Sequence, residues 1–354
     1  MATLTQISLT SRRVIRYGIY AIILIVIARY SIQLGVSIYR KIFPPPPPKP
    51  TIAFGKLPKM PFPEREARTF NFTLELPEGT LPKFTDQLII YSMPQFQTNI
   101  KALDTAKERA RALGFDSNGK PLVESIPNVY IFDRKGFPSR LTMNIITGLF
   151  SVSYNLNEDP TVLNGTPPAP ENGVTQIQSF LSTASLLTED LKASPTTQTL
   201  LRVEGGKFVP AVSLSDANLI KINIFRKQYG KDSNIPAVTP DMPESNIWFI
   251  ISGGRGKQII AGEYHYFPID NTKSATYPIK TADLAWEELK AGKTFIANAG
   301  NNPEGNIVIR RVYLGYYDPG QYSEFYQPVV VFEGDNEFYA YVPAVTDEYY
   351  GKEE

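Results

Sequence analysis

The sequence holds no cysteine and only one histidine, His265, among its 354 residues. Without cysteine the chain has no disulfide framework, no thiolate metal ligand and no cysteine nucleophile. A single histidine also excludes the multi-histidine ligand sets of common zinc sites. We therefore expect no metal, no cofactor and no catalytic residue that the sequence marks.

An excess of charge of either sign is missing too, since 36 basic residues are offset by 35 acidic ones. Nucleic-acid-binding domains usually carry a clear basic excess, so we expect no nucleic-acid partner. With 42% hydrophobic and 20% charged residues, the chain can still bury a substantial core. Its 20 Tyr, 20 Phe and 30 Pro favour strands and loops over a helical bundle.

Two local patterns suggest a catalytic base and a phosphate-binding loop, but each is better explained by a structural role. His265 lies within a predicted strand over 258–267, and no nucleophile or orienting acid is marked near it, so we expect a structural or surface histidine. The run from Gly253 to Lys257 (GGRGK) lacks the spacing of a phosphate-binding loop and has no helix after it. It therefore predicts a hairpin turn.

An uncharged apolar run long enough to cross a membrane is also absent. Tyr17 to Ala28 is apolar but short of the roughly 20 residues required, and only extension to Tyr39, with Arg29 inside, gives an adequate span. The long stem of Arg29 allows its head to snorkel towards the interface. We predict a short cytoplasmic tail and a transmembrane anchor over 1–43.

Orientation and processing of this segment stay open from the residues alone. A basic start with a short apolar core is also typical of a signal peptide, but no small-residue cleavage site follows Ala28. Basic residues flank both ends of the segment, so the positive-inside count does not decide the topology. We expect an uncleaved single-pass anchor in the cell membrane with an extracytoplasmic body.

A proline-rich segment over 44–63 separates the anchor from the body. Five consecutive prolines, Pro44 to Pro48, restrict the backbone to a stiff extended helix, which predicts a stalk. The other interpretation of such a run is a ligand for proline-binding modules. A position beside a membrane helix favours the stalk.

The remaining chain predicts an α+β fold of repeated modules, each a helix with an antiparallel sheet. The first module covers 64–160, and a second region covers 171–354, divisible into 171–270 and 271–354, with a Pro- and Gly-rich loop between. Apolar periodicity predicts helices over 99–113, 174–187 and 281–292, the last with Thr281 as N-cap and Gly292 at its end. Alternation predicts strands over 69–76, 87–93, 128–132, 141–146, 149–154, 200–203, 218–226, 246–252, 258–267, 306–317, 327–332 and 337–342.

Four segments near the C-terminal end carry a resemblance. They read TADLAWEELKAG (281–292), VIRRVYLGYY (308–317), YQPVVVFEG (326–334) and FYAYVPAV (338–345). Together they resemble the C-terminal part of the YycH/YycI family of membrane-anchored bacterial regulators of a cell-wall sensor kinase, whose modules resemble PepSY domains. The resemblance implies an extracytoplasmic body and a kinase partner, and it implies no catalytic residue.

The aromatic residues around the Asp318–Gly320 turn are the candidate partner-binding surface, because Tyr and Phe are favoured in interface cores. These candidates are Tyr316, Tyr317, Tyr322, Phe325 and Tyr326. The favoured hypothesis is a non-catalytic regulatory or interaction protein that binds another envelope protein. Two alternatives stay open: a signal-anchored envelope hydrolase or transferase, and a structural or secretion-system component. Neither the identity of the partner nor the oligomeric state follows from the sequence.

Overall fold

The computed structural model describes residues 4–42, 48–66, 68–123, 126, 128–230, 234–254, 256 and 258–352. The chain divides into two compact units, residues 1–49 and residues 50–354. Helices and strands are both abundant, so the predicted α+β class is confirmed at that level. Residues 44–47 of the predicted stalk lie outside the described residues.

The first unit contains one helix, α1, which covers Leu4–Ile42. Its stretch Val14–Tyr39 is 26 residues long with a mean hydropathy of 2.0, and the side chains of that stretch are exposed. By length and composition this helix is able to cross a membrane, which requires about 20 apolar residues. Such a helix is consistent with a membrane anchor and also with a signal sequence.

The second unit, called the body below, contains twenty strands and four α-helices within the described residues. The helices are α2 (Ala102–Ala112), α3 (Pro170–Thr183), α4 (Glu189–Lys192) and α5 (Ala282–Lys290). The first ten strands are β1 (Leu57–Pro58), β2 (Asn71–Leu74), β3 (Gln87–Ser92), β4 (Lys120–Pro121), β5 (Val129–Asp133), β6 (Ser139–Asn144), β7 (Phe150–Tyr154), β8 (Thr196–Glu204), β9 (Lys207–Pro210) and β10 (Leu219–Ile224). The other ten are β11 (Ala237–Val238), β12 (Ile247–Ser252), β13 (Ile259–Tyr264), β14 (Asp270–Pro278), β15 (Phe295–Asn298), β16 (Asn306–Tyr317), β17 (Phe325–Tyr326), β18 (Pro328–Gly334), β19 (Phe338–Pro343) and β20 (Tyr350–Lys352).

The large sheet has nine antiparallel strands in the order β4-β5-β6-β7-β13-β12-β10-β8-β9. Helices α2 and α3 supply Ala106, Ala110, Ile177 and Leu181 to one core cluster with its strands. The alternation of apolar residues along the central strands is what allows one face to meet the helices. Strands β12 and β13 follow one another in the chain and pair in antiparallel fashion, so the predicted hairpin is confirmed.

The small sheet has the order β11-β16-β18-β19-β15, and β2 pairs in parallel with β16. Along β18, Val329 and Val331 belong to one core cluster, whereas Val330 and Phe332 belong to another. Because successive side chains of a strand point to opposite faces, both faces of this sheet are covered. Helix α5 packs on the second of these faces through Ala285 and Leu289.

The large sheet continues across the predicted boundary between the first module and the second region. Strand β7, from the predicted first module, pairs with β13 of the second region, with Gly262 opposite Val152. The segment 160–171 also is not wholly a loop, because α3 begins at Pro170, a residue that the first turn of a helix tolerates. The large sheet therefore includes strands from both sides of the predicted boundary.

The second part of the predicted stalk is also part of the body. Leu57 is fully buried, and β1 pairs with β20 in parallel, with Leu57 opposite Tyr350. Farther along, the ring of Phe62 stacks on Phe295 at 4.7 Å between centroids. From Leu57 onward the segment is therefore packed against the core rather than extended as a free spacer.

Helix α5 forms where the sequence predicts it. The hydroxyl of Thr281 accepts a hydrogen bond from the backbone N–H of Leu284 at 3.3 Å, as expected of an N-cap. Gly292 has a φ of +75° directly after the helix, a conformation that glycine adopts without a steric penalty. Both ends of this helix follow from local residues alone.

Candidate functional site

The predicted aromatic surface is mostly core. Tyr316 and Tyr326 are fully buried and Tyr317 is 1% exposed. Tyr322 and Phe325 are half-buried and pack at the margins of core clusters. Because both faces of the small sheet are covered, Tyr316, Tyr317 and Tyr326 are packing residues with little area left for a partner. Tyr322 and Phe325 keep part of their area exposed, and a partner-binding role for them stays a prediction.

The buried tyrosines form one interlocked cluster. Tyr316 stacks on Tyr326 with 5.1 Å between ring centroids, and the ring of Tyr229 lies edge-on to both. The hydroxyl of Tyr316 donates to the carbonyl of Ile89 at 2.6 Å, which joins β16 to β3. Offset and edge-on aromatic pairs contribute roughly 0.5–1.5 kcal/mol each beyond their buried area.

A buried arginine lies beside these tyrosines and organises a buried polar group. Arg226 follows β10, and its side chain is 1% exposed. Its Nε atom donates to Asp318 at 2.7 Å, its Nη1 donates to Asp190 at 2.9 Å, and its Nη2 donates to the carbonyl of Phe267 at 2.5 Å. We call Arg226, Asp190, Asp318 and Tyr266 the Arg226 cluster.

Asp190 is held in this cluster as a carboxylate. It accepts hydrogen bonds from the hydroxyls of Thr188 at 2.6 Å and Tyr266 at 2.8 Å. Burial alone raises the pKa of this carboxyl, but the charge of Arg226 and these two hydroxyls outweigh it, so the pKa of Asp190 is lowered. Burial lowers the pKa of Arg226, but the charges of Asp318 and Asp190 outweigh this effect, so the pKa of Arg226 is raised above its usual range.

The Arg226 cluster connects the two sheets. Asp318 directly follows β16 of the small sheet. Arg226 and Tyr266 each lie two residues after the end of a strand of the large sheet, β10 and β13. The guanidinium also lies over the ring of Tyr266 at 4.4 Å, which adds a cation–π contact. Each of the three guanidinium nitrogens donates to a group of the same chain, so the cluster is suited to holding the sheets together.

His265 lies at the surface, directly after β13. Its side chain is 40% exposed, and its Nε2 is 3.8 Å from the carboxylate of Glu263, which is itself 45% exposed. Among the described residues, no group of three His, Asp or Glu side chains is arranged to hold a metal ion.

An open groove lies beside β15, the strand at one edge of the small sheet. It measures about 410 Å³ and is lined on one side by Arg65, Glu66, Arg68 and Phe70 and on the other by Ile296 and residues 298–300. In the described part of the chain, β15 pairs with β19 on one side, and no strand pairs with its other side. We call this feature the β15 groove.

The two arginines of the groove differ in how they are held. Arg65 donates to the carbonyl of Pro240 at 2.9 Å and to the carboxylate of Asp241 at 2.5 Å, and it lies 5.4 Å from the ring centre of Phe295. Arg68 is exposed, and no ion-pair partner for it occurs among residues that the structure describes. The groove therefore offers one fixed and one available guanidinium, which suit a carboxylate or another planar anion.

Sequence patterns did not single out these residues. Arg226 ends a predicted apolar strand and reads as an ordinary surface arginine after it, because its partners are 36 and 92 residues away in the chain. Arg65 and Arg68 fall in a segment next to the predicted stalk. The only local signal is the charged run Glu64 to Arg68 immediately after a proline-rich stretch.

No protein-family model matches this chain, and no curated protein matches it. Among solved structures, the chain is similar to an uncharacterized protein from Eubacterium rectale, with 12% sequence identity and a TM-score of 0.35. The similarity covers 76% of this chain and 86% of that one. We draw no conclusion about fold or function from a similarity at this level.

Proposed function

We propose that this chain is a membrane-anchored protein that acts by binding another envelope protein rather than by catalysis. Helix α1 holds it in the cell membrane as a single-pass anchor, and the body lies on the extracytoplasmic side. The single observation that supports the anchor is the 26-residue apolar stretch Val14–Tyr39, with a mean hydropathy of 2.0. An exposed apolar surface of that length is stable in lipid and not in water.

The β15 groove is the binding surface that the geometry supports best. Specific peptide recognition commonly adds an extended strand to the unpaired edge of a sheet, where backbone groups supply affinity and side-chain pockets supply selectivity. The outer side of β15 offers such an edge within the described residues, and Arg65 and Arg68 stand beside it. An extended acidic segment of a partner protein fits this combination.

The resemblance of the C-terminal segments to YycH/YycI regulators supports the same class of function. It suggests a membrane sensor kinase as the partner, held near the body because both proteins are confined to one membrane. Confinement raises the effective concentration of the partner without any new contact. A weak groove contact is then sufficient for regulation.

Site-specific photo-crosslinking in intact cells tests the proposal. A photo-reactive residue in place of Arg68 should give a discrete adduct with one membrane protein, and Arg65→Ala in the same chain should weaken that adduct. The matched control replaces Arg111, an exposed arginine on α2, and should give no such adduct.

Two results would contradict the proposal. Protection of the body from protease added to intact cells would place it on the other side of the membrane. Equal adducts from positions 68 and 111, together with no effect of Arg65→Ala, would remove the groove as the binding surface.

A further inference from the structure

Arg29 lies near the middle of the membrane-spanning helix, whatever register the helix takes. Between Arg16 and Arg40, Arg29 is the one charged residue of the sequence. Any window of about 20 residues between these two arginines has Arg29 at its tenth to thirteenth position. At 1.5 Å per residue, Arg29 is therefore within about 4 Å of the centre of such a window.

The side chain of Arg29 is too short to bring its charge from the middle of the bilayer to the interface. From the middle of the bilayer, either interface of the hydrocarbon core is about 15 Å away. Snorkelling along a stem of three methylene groups carries the guanidinium only part of that distance, so a charge remains at a depth where it is costly. The guanidinium therefore needs a partner within the membrane.

This chain does not supply that partner. Residues 1–49 contain no aspartate and no glutamate, so neither the helix nor a second copy of it offers a carboxylate. A second copy facing Arg29 would instead bring two like charges together. One turn after Arg29 lies Gln33, and one turn further lies Ser37, so three polar side chains share one face of the helix.

We infer that Arg29 pairs inside the membrane with an aspartate or glutamate on a transmembrane helix of a partner protein. Gln33 and Ser37 extend the polar face along which that helix packs, because polar side chains hydrogen-bond between helices in lipid. The inference rests on the proposed anchoring of this chain. It adds a second contact with the partner, at the depth of the bilayer, and specifies its charge.

The test uses the full chain in phosphatidylcholine vesicles with a synthetic transmembrane probe. The probe is a leucine-rich helix of about 20 residues with one central glutamate, and its matched control carries glutamine there. Because the chain has no cysteine, Thr10→Cys provides one unique site for a fluorophore, and energy transfer to a labelled probe reports association at mildly alkaline pH. We expect the glutamate probe to associate about tenfold more tightly than the glutamine probe.

Variants of the chain assign the effect to Arg29. Arg29→Leu should abolish the preference for glutamate, whereas Ser31→Leu, on the opposite face, should retain it. Equal association of the two probes, or a preference that survives Arg29→Leu, would overturn the inference. Loss of the preference on adding phosphatidylglycerol would overturn it too, since a lipid headgroup would then be the partner.

Failure of the anchor itself is distinguishable from failure of the pairing. Alkaline extraction of the same vesicles should leave the full chain in the membrane pellet. If the chain is extracted, the proposed function fails at its first step. If it stays in the pellet and shows no preference for glutamate, only the pairing is wrong.

Discussion

Replacement of Arg226 by methionine tests the buried cluster that joins the two sheets. The side chains of Arg226, Asp190 and Asp318 are 1%, 10% and 7% exposed, so water screens their charges little. Removal of one member of a buried ion pair costs about 3–5 kcal/mol, because the remaining charge lacks a counter-charge. Here two carboxylates lose their common partner, and we expect Arg226→Met to lower the free energy of unfolding by about 4 kcal/mol.

The assay is urea unfolding of the chain from Pro50 to Glu354, followed by far-ultraviolet circular dichroism and tryptophan fluorescence. The matched control is Arg310→Met, which removes an exposed arginine that pairs with Asp335 and Glu75. Exposed ion pairs contribute little to stability, so this variant should unfold almost as the unmodified chain does. Arg226→Met combined with Asp318→Asn should cost less than the two single changes added together, because the second change removes an uncompensated charge.

A loss below about 1 kcal/mol for Arg226→Met would refute this reasoning, since that is the range of exposed pairs. Strict additivity of the double variant would refute it as well. Either result would mean that the two carboxylates find other partners or water once the arginine is gone.

Three further changes and one pH titration test other parts of the structure by the same unfolding assay. The pKa of Asp190 is lowered in the folded state, so its carboxylate stabilises the fold at pH values above the usual carboxyl pKa of 3.8. This stability should be lost as the pH falls through the lower pKa of the folded state. Asp190→Asn should remove this contribution to acid unfolding. Tyr316→Ala should cost about 3–5 kcal/mol, as for other large aromatic core residues, whereas a surface tyrosine would cost little. Thr281→Ala should cost about 1 kcal/mol through loss of the helix cap, and Thr281→Ser should not. Gly262→Ala should cost about 1–3 kcal/mol, because a Cβ there would lie 2.2 Å from the ring of Phe249.

The elements that the sequence predicts well are those that local residues determine. Helix α5 has its cap, its apolar face and its terminal glycine within twelve residues, and the β12–β13 hairpin has its turn between its strands. Strand pairing between distant segments has no comparable local signal. The contact of β7 with β13 joins residues more than a hundred positions apart. No local pattern in the sequence therefore indicates that one sheet continues across the predicted module boundary.

The exposure of the candidate tyrosines was predicted less well, for a related reason. Alternation along β16 and β18 shows which residues share a face but not whether that face is covered. Tyr316 and Tyr317 point to opposite faces of the small sheet, and both are buried. The groove depends on how residues 65–70 pass the end of β15, which no periodicity in either segment encodes.

The pairing of β1 with β20 has a consequence for how the protein is made. Synthesis delivers β1 early in the body, whereas the strand that pairs with β1 is delivered almost three hundred residues later. Strand β2 likewise waits for β16, and β3 waits for β14 and β17. The body therefore cannot fold progressively from its N-terminal end, and the edges of β1, β2 and β3 stay unpaired during translation. Until residues 350–352 emerge, the nascent chain must keep these unpaired strand edges from pairing wrongly.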